Sequence, residues 1–531
     1  MKKYSGIIFF IIFAFLFSGL IYSQSNSSKI DEYLKMVSKD ELRAIDQFIG
    51  DDLFEGRVPG TRGGELVEKY VRSVYALLGI KPFFKDYFQP FLLKGFTIKN
   101  LELLANGEIL KFRDDVVGSY VRQVKDFDME GDAVFVGFGI DSKAWNWDDF
   151  KNVNVKDKIL IIRVNDPGFY LGKIFNGREL TYYGRWVYKL EEAARKGAKG
   201  ALLIHTDESA GYDWNVVRNS WGGESLYLER SLKNNLKFRG WIKEASLKRI
   251  LAKKGIFLEK LYKKSLKRNF KPIDLGFKIR IKGENSFREI KANNVVGLIE
   301  GNNPKYKDKY IVISAHIDHL GMNPALKGDK IFNGAIDNGS AVASMIETAK
   351  ILKKYSKYLN YSIIVLACEA EEEGLLGSDY FANSIDPKKV IANINFESTP
   401  VWEKARDFIG VGAKYSTLED ILKKVLKKEG LKYSYFSMSN QGFFYRSDQF
   451  SFAKRGIPSM WITAGEYYIS GKNRLKEFFT GNYHTVKDEY DPSWKFDSTV
   501  QTVRIALLLI DYINNNHPPL KWKGKMTFPV Y

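Results

Sequence analysis

Three patterns of apolar spacing succeed one another along this chain. From Ser38 to Pro82 the apolar positions recur at helical intervals, with Leu66, Tyr70, Val71, Val74 and Leu77 marking one face of the second of two amphipathic helices. A glycine-rich loop, "DDLFEGRVPGTRGG", separates the pair. Between about Asp126 and Glu259 the period shortens: "GDAVFVGFGI" and "KDKILIIRVNDPG" are brief β-rich runs bounded by turn residues, and "KLEEAARKGAKGALLIHTD" reads as a helix, a glycine turn and a buried strand. This block has the texture of an α+β unit. From Asn293 onward strands and helices alternate through "NVVGLIEG", "KYIVISAHID", a helix from about Ala341 to Tyr355, "YSIIVLACEAE", "IANINFES", a helix from Thr417 to Glu429, and "GIPSMWITAG". Such alternation predicts an α/β sheet with helices on both faces, in which ligands gather beyond the carboxyl ends of the strands.

The chain has 531 residues, 45% of them hydrophobic and 15% aromatic, enough for more than one well-filled core. Its opening, "MKKYSGIIFFIIFAFLFSGLIYSQS", sets Lys2 and Lys3 before an apolar run from Ile7 to about Ile21, the pattern of a secretory signal cut after Ser23 or Gln24. An uncleaved anchor would want about 20 apolar residues. No cysteine follows the run, which excludes lipid attachment there, and nothing later resembles a membrane span. The expectation is a leader over 1–24 and a soluble mature protein, periplasmic or extracellular, with no stable membrane insertion. Cys368 is the sole cysteine, so no internal disulfide can form; in "YSIIVLAC" it reads as a buried, inert thiol. The net charge of +19 is spread over solvated helix faces such as "KKVLKKEG" without any nucleic-acid-binding motif, which argues against a nucleic-acid partner.

The chemistry gathers at predicted strand ends. In "YIVISAHIDHLGMN" strand parity sets Val312, Ser314, His316 and Asp318 on one side and His319 on the other. His316 with Asp318 suits a metal ligand and its orienting carboxylate, or equally a hydrogen-bonded strand terminus. Asp337 lies in the tight loop of "FNGAIDNGSA", as turn former or ligand, before a helix whose predicted N-cap is Ser340. "CEAEEEGLLGS" crowds carboxylates directly after an apolar strand, a costly arrangement without a cation. "NINFES" ends in Glu397, and "GNYHTVKDEYD" carries His484 in a polar loop.

Taken in order, "HID", "NGAIDNGS", "EEEGLLGS", "NFES", "RSDQFSFAKRGIPS" and "YHTVKDEYD" resemble the M28 family of zinc aminopeptidases. "LFEGRVPGTRGGELVEKYV" is similar to that family as well, and "VFVGFGI", "DPG", "LTYYGRWVYKLEEAARKGAKGALLIH" and "GGESLYLE" resemble the protease-associated domain of its bacterial members. The resemblance implies a mixed β-sheet flanked by helices, with a peptidase domain over 25–125 and 266–531 and an inserted α+β protease-associated domain over 126–265. It further implies two zinc ions bridged by Asp337, one held also by His316 and Glu397, the other by Glu372 and His484. Asp318 would orient His316, and Glu371 would serve as general base and acid, activating water near the ions and returning its proton to the departing amine. The implied activity is removal of single residues from peptides with free amino termini.

Tyr483 is expected either to donate to the oxyanion or to pack as an aromatic, and Arg446 either to contact the substrate main chain or to pair with Asp448. Two positions depart from the family pattern. Glu397 stands where aspartate is usual, shifting the carboxylate by about 1 to 1.5 Å while keeping an oxygen ligand. Gln449 replaces the histidine of the family's "SDH". His205 and His517 lack partners in sequence and are read as structural or solvated; His319 could line the cleft, but its opposite strand parity favours His316 over it as a ligand. The alternatives are a one-zinc glutaminyl cyclase, a carboxypeptidase, which would need a basic pocket for the substrate carboxylate, and a non-catalytic binding protein. The full set of five ligand candidates with Glu371 argues against the first and the last.

Overall fold

The computed structural model describes residues 29–438 and 441–531; the expected leader lies outside the described residues. The early helical pattern forms α1 (Lys39–Ile49) and α2 (Arg62–Leu77). Ser38 caps α1 by accepting from the Glu41 amide at 3.2 Å, while its own amide donates to Glu347 at 2.7 Å, so the cap also fixes where the helix docks. The buried face of α2 is Val67, Val71 and Tyr75, one step around from the face expected, and Leu66 and Leu77 are exposed. Tertiary packing decided between two stripes that spacing alone leaves close. Gly63 explains the glycine-rich entry to α2: a Cβ there would sit 1.7 Å from the carbonyl oxygen of Phe54.

The strands that follow are β1 (Phe88–Ala105), β2 (Val116–Tyr120), β3 (Asp126–Phe135) and β4 (Ile159–Arg163); then come α3 (Trp186–Arg195), β5 (Gly200–His205), β6 (Phe238–Lys243) and β7 (Ile273–Ile299). Next are β8 (Tyr310–His316), α4 (Ser340–Lys354), β9 (Ser362–Cys368), α5 (Leu376–Ser384), β10 (Val390–Phe396), β11 (Asp407–Val411), α6 (Leu418–Lys428), β12 (Lys432–Ser434), β13 (Ser459–Ala464) and α7 (Asp497–Asn516). The main sheet of the described residues is mixed and runs in the order β12-β11-β13-β10-β8-β9-β7-β3-β4-β5-β6-β2, with β1 running antiparallel beside β7. The long β7 joins two halves: Val295–Ile299 pairs with β9, while Ile273–Glu284 pairs with β3.

Both halves are covered on both faces, which is why their parallel strands read as unbroken apolar runs. In β8, Ile311, Ile313 and Ala315 join the core beneath α4 and α7, and Val312 joins the opposite core with Phe381 and Phe452. In the other half, Ile159 and Ile161 face one core and Leu160 and Ile162 another. The helix expected near Ala341 begins at Ser340, but Ser340 does not cap it: Gly339 holds that position, and the Ser340 hydroxyl donates to Thr399 O at 2.7 Å and Ile336 O at 3.2 Å. Its side chain braces the loop that carries Asp337.

Candidate metal centre

Parallel pairing sets the ends of β10, β8 and β9 level with one another. Ser314 pairs with Asn395 and His316 with Cys368, so Glu397 and the acidic run after Cys368 emerge beside His316. Asp337 enters from the loop before α4, and His484 from the loop after Asn482. The His316 Nε2 lies 3.3 Å from Asp337 Oδ1, 3.2 Å from Glu397 Oε1 and 4.0 Å from Glu371 Oε2. The His484 Nε2 lies 3.2 Å from both Asp337 Oδ2 and Glu372 Oε2. One oxygen of Asp337 thus serves each group.

These separations suit a shared cation. Donors held at about 2.0 to 2.2 Å around a tetrahedral ion stand about 3.3 to 3.6 Å apart. Both oxygens of Asp337 and the Nε2 of His484 are buried without a hydrogen-bond partner, as donors meant for an ion would be. Two groups, His316 with Asp337 and Glu397, and His319 with Asp337 and Glu372, each bring one ligand atom per residue within 4.8 Å of the others. Imidazole and carboxylate in this mixture are ligands that zinc accepts, so the centre fits a pair of zinc ions.

Burial opposes every charge here, and the neighbours decide the outcome. It disfavours a charged His316, yet Glu397 and Glu371 raise that group well above the ordinary range. His484 is pulled up to about 10 against its burial, chiefly by Glu372. Burial would likewise raise Asp337, but His316 and His484 hold it well below the carboxylate range. Glu371 is pushed well up by burial and by Glu397 and Glu372, despite His316. Burial raises Glu397 too, so the result is a densely charged site with two carboxyls, Glu371 and Glu397, biased toward keeping a proton.

A layer of hydrogen bonds holds these groups in place. The two Asp318 oxygens accept from the amides of Glu371 at 2.9 Å and Glu372 at 3.1 Å, while the Nδ1 of His316 lies 3.7 Å from Asp318 Oδ1 and 3.2 Å from the Asp318 carbonyl oxygen. Asp488 grips the Asp337 loop, its Oδ1 and Oδ2 accepting from the amides of Ile336 and Asp337 at 2.9 Å each. Ser447 donates to Glu397 Oε2 at 2.6 Å. Gln449 is buried behind the site, where its Oε1 accepts from Asn395 at 3.0 Å. Arg57, only 1% exposed, donates to Ile317 O at 3.0 Å, Ile49 O at 2.9 Å, Gly334 O at 3.1 Å and Asn333 O, tying the loops after His316 and before Asp337 to α1. Arg57, Asp488 and Ser447 escape sequence reasoning because their partners are backbone groups or distant side chains; the "EGR" of the glycine-rich loop is the one signal that could have pointed to Arg57.

The Tyr483 ring stacks on His484 at 3.9 Å between centroids and packs against Phe478 and Phe479. Arg446 lies over the Phe443 ring at 5.3 Å and makes no ion pair with Asp448 among the described residues. Arg185 stands near it: burial and then the Arg446 guanidinium push Arg185 down to about 10, and its buried Nε has no hydrogen-bond partner. His205 and His517 lie outside the site, bonded to Tyr212 O at 3.1 Å and to the Tyr361 hydroxyl at 2.9 Å. His319 lines the site in spite of its strand parity. β8 ends at His316, so strand alternation does not reach residue 319, and the chain turns its ring inward until Nδ1 is 2.8 Å from Glu372 Oε1.

Residues 294–508 match the family model of Peptidase family M28. Aminopeptidase YwaD of Bacillus subtilis (strain 168) is 31% identical over 126 residues, 23% of this chain and 25% of that protein. Leucine aminopeptidase 2 of Trichophyton rubrum is 25% identical over 221 residues, 38% of this chain and 41% of its own length. The matched stretches thus span less than half of these curated relatives. Among solved structures, an aminopeptidase from Aneurinibacillus sp. strain AM-1 superposes with a TM-score of 0.53 at 18% identity, covering 94% of this chain and 98% of that one. The fold is that of the M28 zinc aminopeptidases.

Proposed function

We propose that this chain is an exported two-zinc aminopeptidase of the M28 kind, which removes the first residue from peptides with free amino termini. One observation carries the reading: a single buried carboxylate, Asp337, sets one oxygen beside His316, which Glu397 also approaches, and the other beside His484, which Glu372 also approaches. In this reading His316, Asp337 and Glu397 would hold one ion, and Asp337, Glu372 and His484 the other. Bound there, the ions would acidify water and polarise the scissile carbonyl. Glu371, beside them and 8% exposed, would be held as a carboxylate by the charge of the ions, and takes a proton from the attacking water and passes it to the leaving amine. Asp318 sets the backbone of Glu371 and Glu372 and so the direction of both carboxylates. Tyr483 stands next to His484 as a donor for the developing oxyanion.

The domain reading places the peptidase unit over 25–125 and 266–531, with residues 126–265 as a protease-associated insert beside the cleft. That half has apolar cores of its own, but one of them also takes in Ile98, Leu103 and Tyr120 before residue 126 and Phe270 and Ile281 after residue 265, so they support a separate unit and not these bounds. Export rests on the leader pattern of residues 1–24. No described helix is long and apolar enough to cross a membrane.

Arg185 and Arg446 favour a second reading, because two guanidiniums without ion pairs among the described residues suit a substrate carboxylate and hence a carboxypeptidase. Digestion of one peptide in free, N-acetylated and C-amidated forms, followed by mass spectrometry, separates the two. Trimming of the free and amidated peptides from the amino end, with the acetylated one intact, is the expected outcome; trimming only where the carboxyl end is free would replace it with the second reading.

A further inference from the structure

His319 is not among the five ligands proposed above, although it lies with Asp337 and Glu372 in a group that could hold an ion; it is fully buried and its ring edge faces that set. The loop carrying Asp337 is shaped around it. Gly334 sits at φ +58°, and a Cβ there would meet His319 Cδ2 at 2.5 Å and Asp337 O at 2.1 Å, so only glycine lets ring and loop approach this closely. The Nδ1 of His319 is 2.8 Å from Glu372 Oε1 and 4.0 Å from Asp337 Oδ2.

Those two distances distinguish a ligand from a brace. Atoms sharing a zinc ion stand about 3.3 to 3.6 Å apart; the pairs made by His316 and His484 fall at 3.2 to 3.3 Å. His319 matches neither limit of that range. Its shorter distance is that of a charge-assisted hydrogen bond, and its longer one is wider than the tetrahedral spacing, although it stays within reach of a shared ion. Glu372 meanwhile turns its other oxygen, Oε2, to His484.

We infer that His319 is a positioning residue for the second metal position: it donates Nδ1–H to Glu372 Oε1 and so reserves Oε2 for the ion. The inference rests on the two-zinc reading proposed above. Without the bond, Glu372 is free to rotate or to present both oxygens, and a donor set in which only Asp337 and His484 are tightly aimed loses hold of its ion. Ligating groups are commonly fixed by such a bond from behind, and its removal typically costs 10 to 100-fold in metal affinity.

The test uses the full mature chain with zinc stripped and returned against a competing chromophoric chelator, and a parallel cobalt titration read by visible absorption. The variants are His319→Leu, which keeps volume without a donor, His319→Asn, whose amide nitrogen stands close to the place of Nδ1, and His484→Ala, which removes a proposed ligand. The expected result is two ions bound by the native chain, one of them weakened about 10 to 100-fold in His319→Leu, largely restored in His319→Asn, and lost outright in His484→Ala. Unchanged affinities in His319→Leu overturn the inference. So does complete loss of that ion in both His319 variants, with a cobalt spectrum matching His484→Ala, since that would make His319 a ligand. If His319→Leu does not fold, as judged by circular dichroism of the metal-free protein, His319→Asn decides alone: near-native affinity supports the brace, and loss as deep as in His484→Ala refutes it. Failure of the native chain to bind a pair of ions would instead count against the two-zinc reading itself.

Discussion

Two histidines each close a buried parallel strand in this molecule, and only one of them becomes part of a reactive centre. His205 ends β5 and His316 ends β8. Around His205 the surroundings are aromatic: Trp214 and Trp241 lie edge-on at 5.3 and 6.0 Å, the Tyr212 carbonyl oxygen satisfies Nε2, and the nearest carboxylate, Asp207, is exposed at 3.9 Å. Burial then lowers its affinity for a proton. Around His316 the neighbouring strand ends deliver Glu371 and Glu397, and the following loop delivers Asp337. A shared architecture therefore leaves chemistry undecided; what matters is whether adjacent strand ends bring carboxylates that nothing else neutralises.

The sharpest contrast between the halves is catalytic. Glu371→Gln should lower peptide turnover by roughly 10² to 10⁴-fold, the usual contribution of a general acid and base, while zinc content stays at the native level. Turnover is read by release of free amino acid and metal by elemental analysis of the purified protein. Loss of metal in this variant would show Glu371 to be a ligand, and undiminished turnover would remove it from the proton path.

The contrast between the halves was partly legible beforehand. Strand ends at His316, Cys368 and Phe396 follow from unbroken apolar runs, so the residues just beyond them, Glu371, Glu372 and Glu397, could be picked out by position. Parity carries no information for His319, since alternation holds only while the strand lasts. The buried face of α2 slipped by one residue because both candidate stripes contain Val71, and only packing chooses between Val67 and Leu66. Arg57 and Asp488 were invisible for a different reason. They act on main-chain groups of loops distant in sequence, Arg57 donating to carbonyls and Asp488 accepting from amides, and main-chain partners leave no mark in side-chain chemistry.

Each half also buries an arginine, which gives a second way to sharpen the comparison. Arg57 spans the ligand-bearing loops, its charge facing Asp318, Asp337, Asp488 and Asp46. Arg163 is enclosed by the rings of Phe138, Tyr170 and Tyr262 at 4.5, 4.3 and 4.1 Å and donates to the Ser265 hydroxyl at 2.9 Å. Arg57→Met leaves four carbonyls and a set of buried carboxylates without their donor, so a loss of about 3 to 5 kcal/mol in unfolding free energy is expected, together with reduced zinc affinity. Arg163→Met should cost about 1 to 3 kcal/mol and leave metal binding at the native level. Denaturant unfolding and chelator competition measure both. Equal effects on zinc affinity would mean that the halves are coupled through the long β7 and that the loops are not held locally.

The smallest effect concerns His205 and its pH dependence. Burial lowers its folded-state affinity for a proton, with the Tyr212 carbonyl and Asp207 only partly offsetting that. An unfolded histidine titrates near pH 6.5. As pH falls below that value the unfolded chain takes up the proton first, so this residue draws stability down until the folded form is protonated too; above it, the residue makes no pH-dependent difference. His205→Phe should therefore flatten the decline in unfolding midpoint between about pH 6.5 and 5 while leaving the midpoint at pH 8 little changed, as followed by thermal melts of the metal-free protein. Zinc-free material matters because proton competition at the metal centre would otherwise impose its own slope over the same interval. A steeper decline in the variant would mean that His205 is held charged in the fold, and the difference between the two strand-terminal histidines would then lie in the number of carboxylates and no longer in their sign.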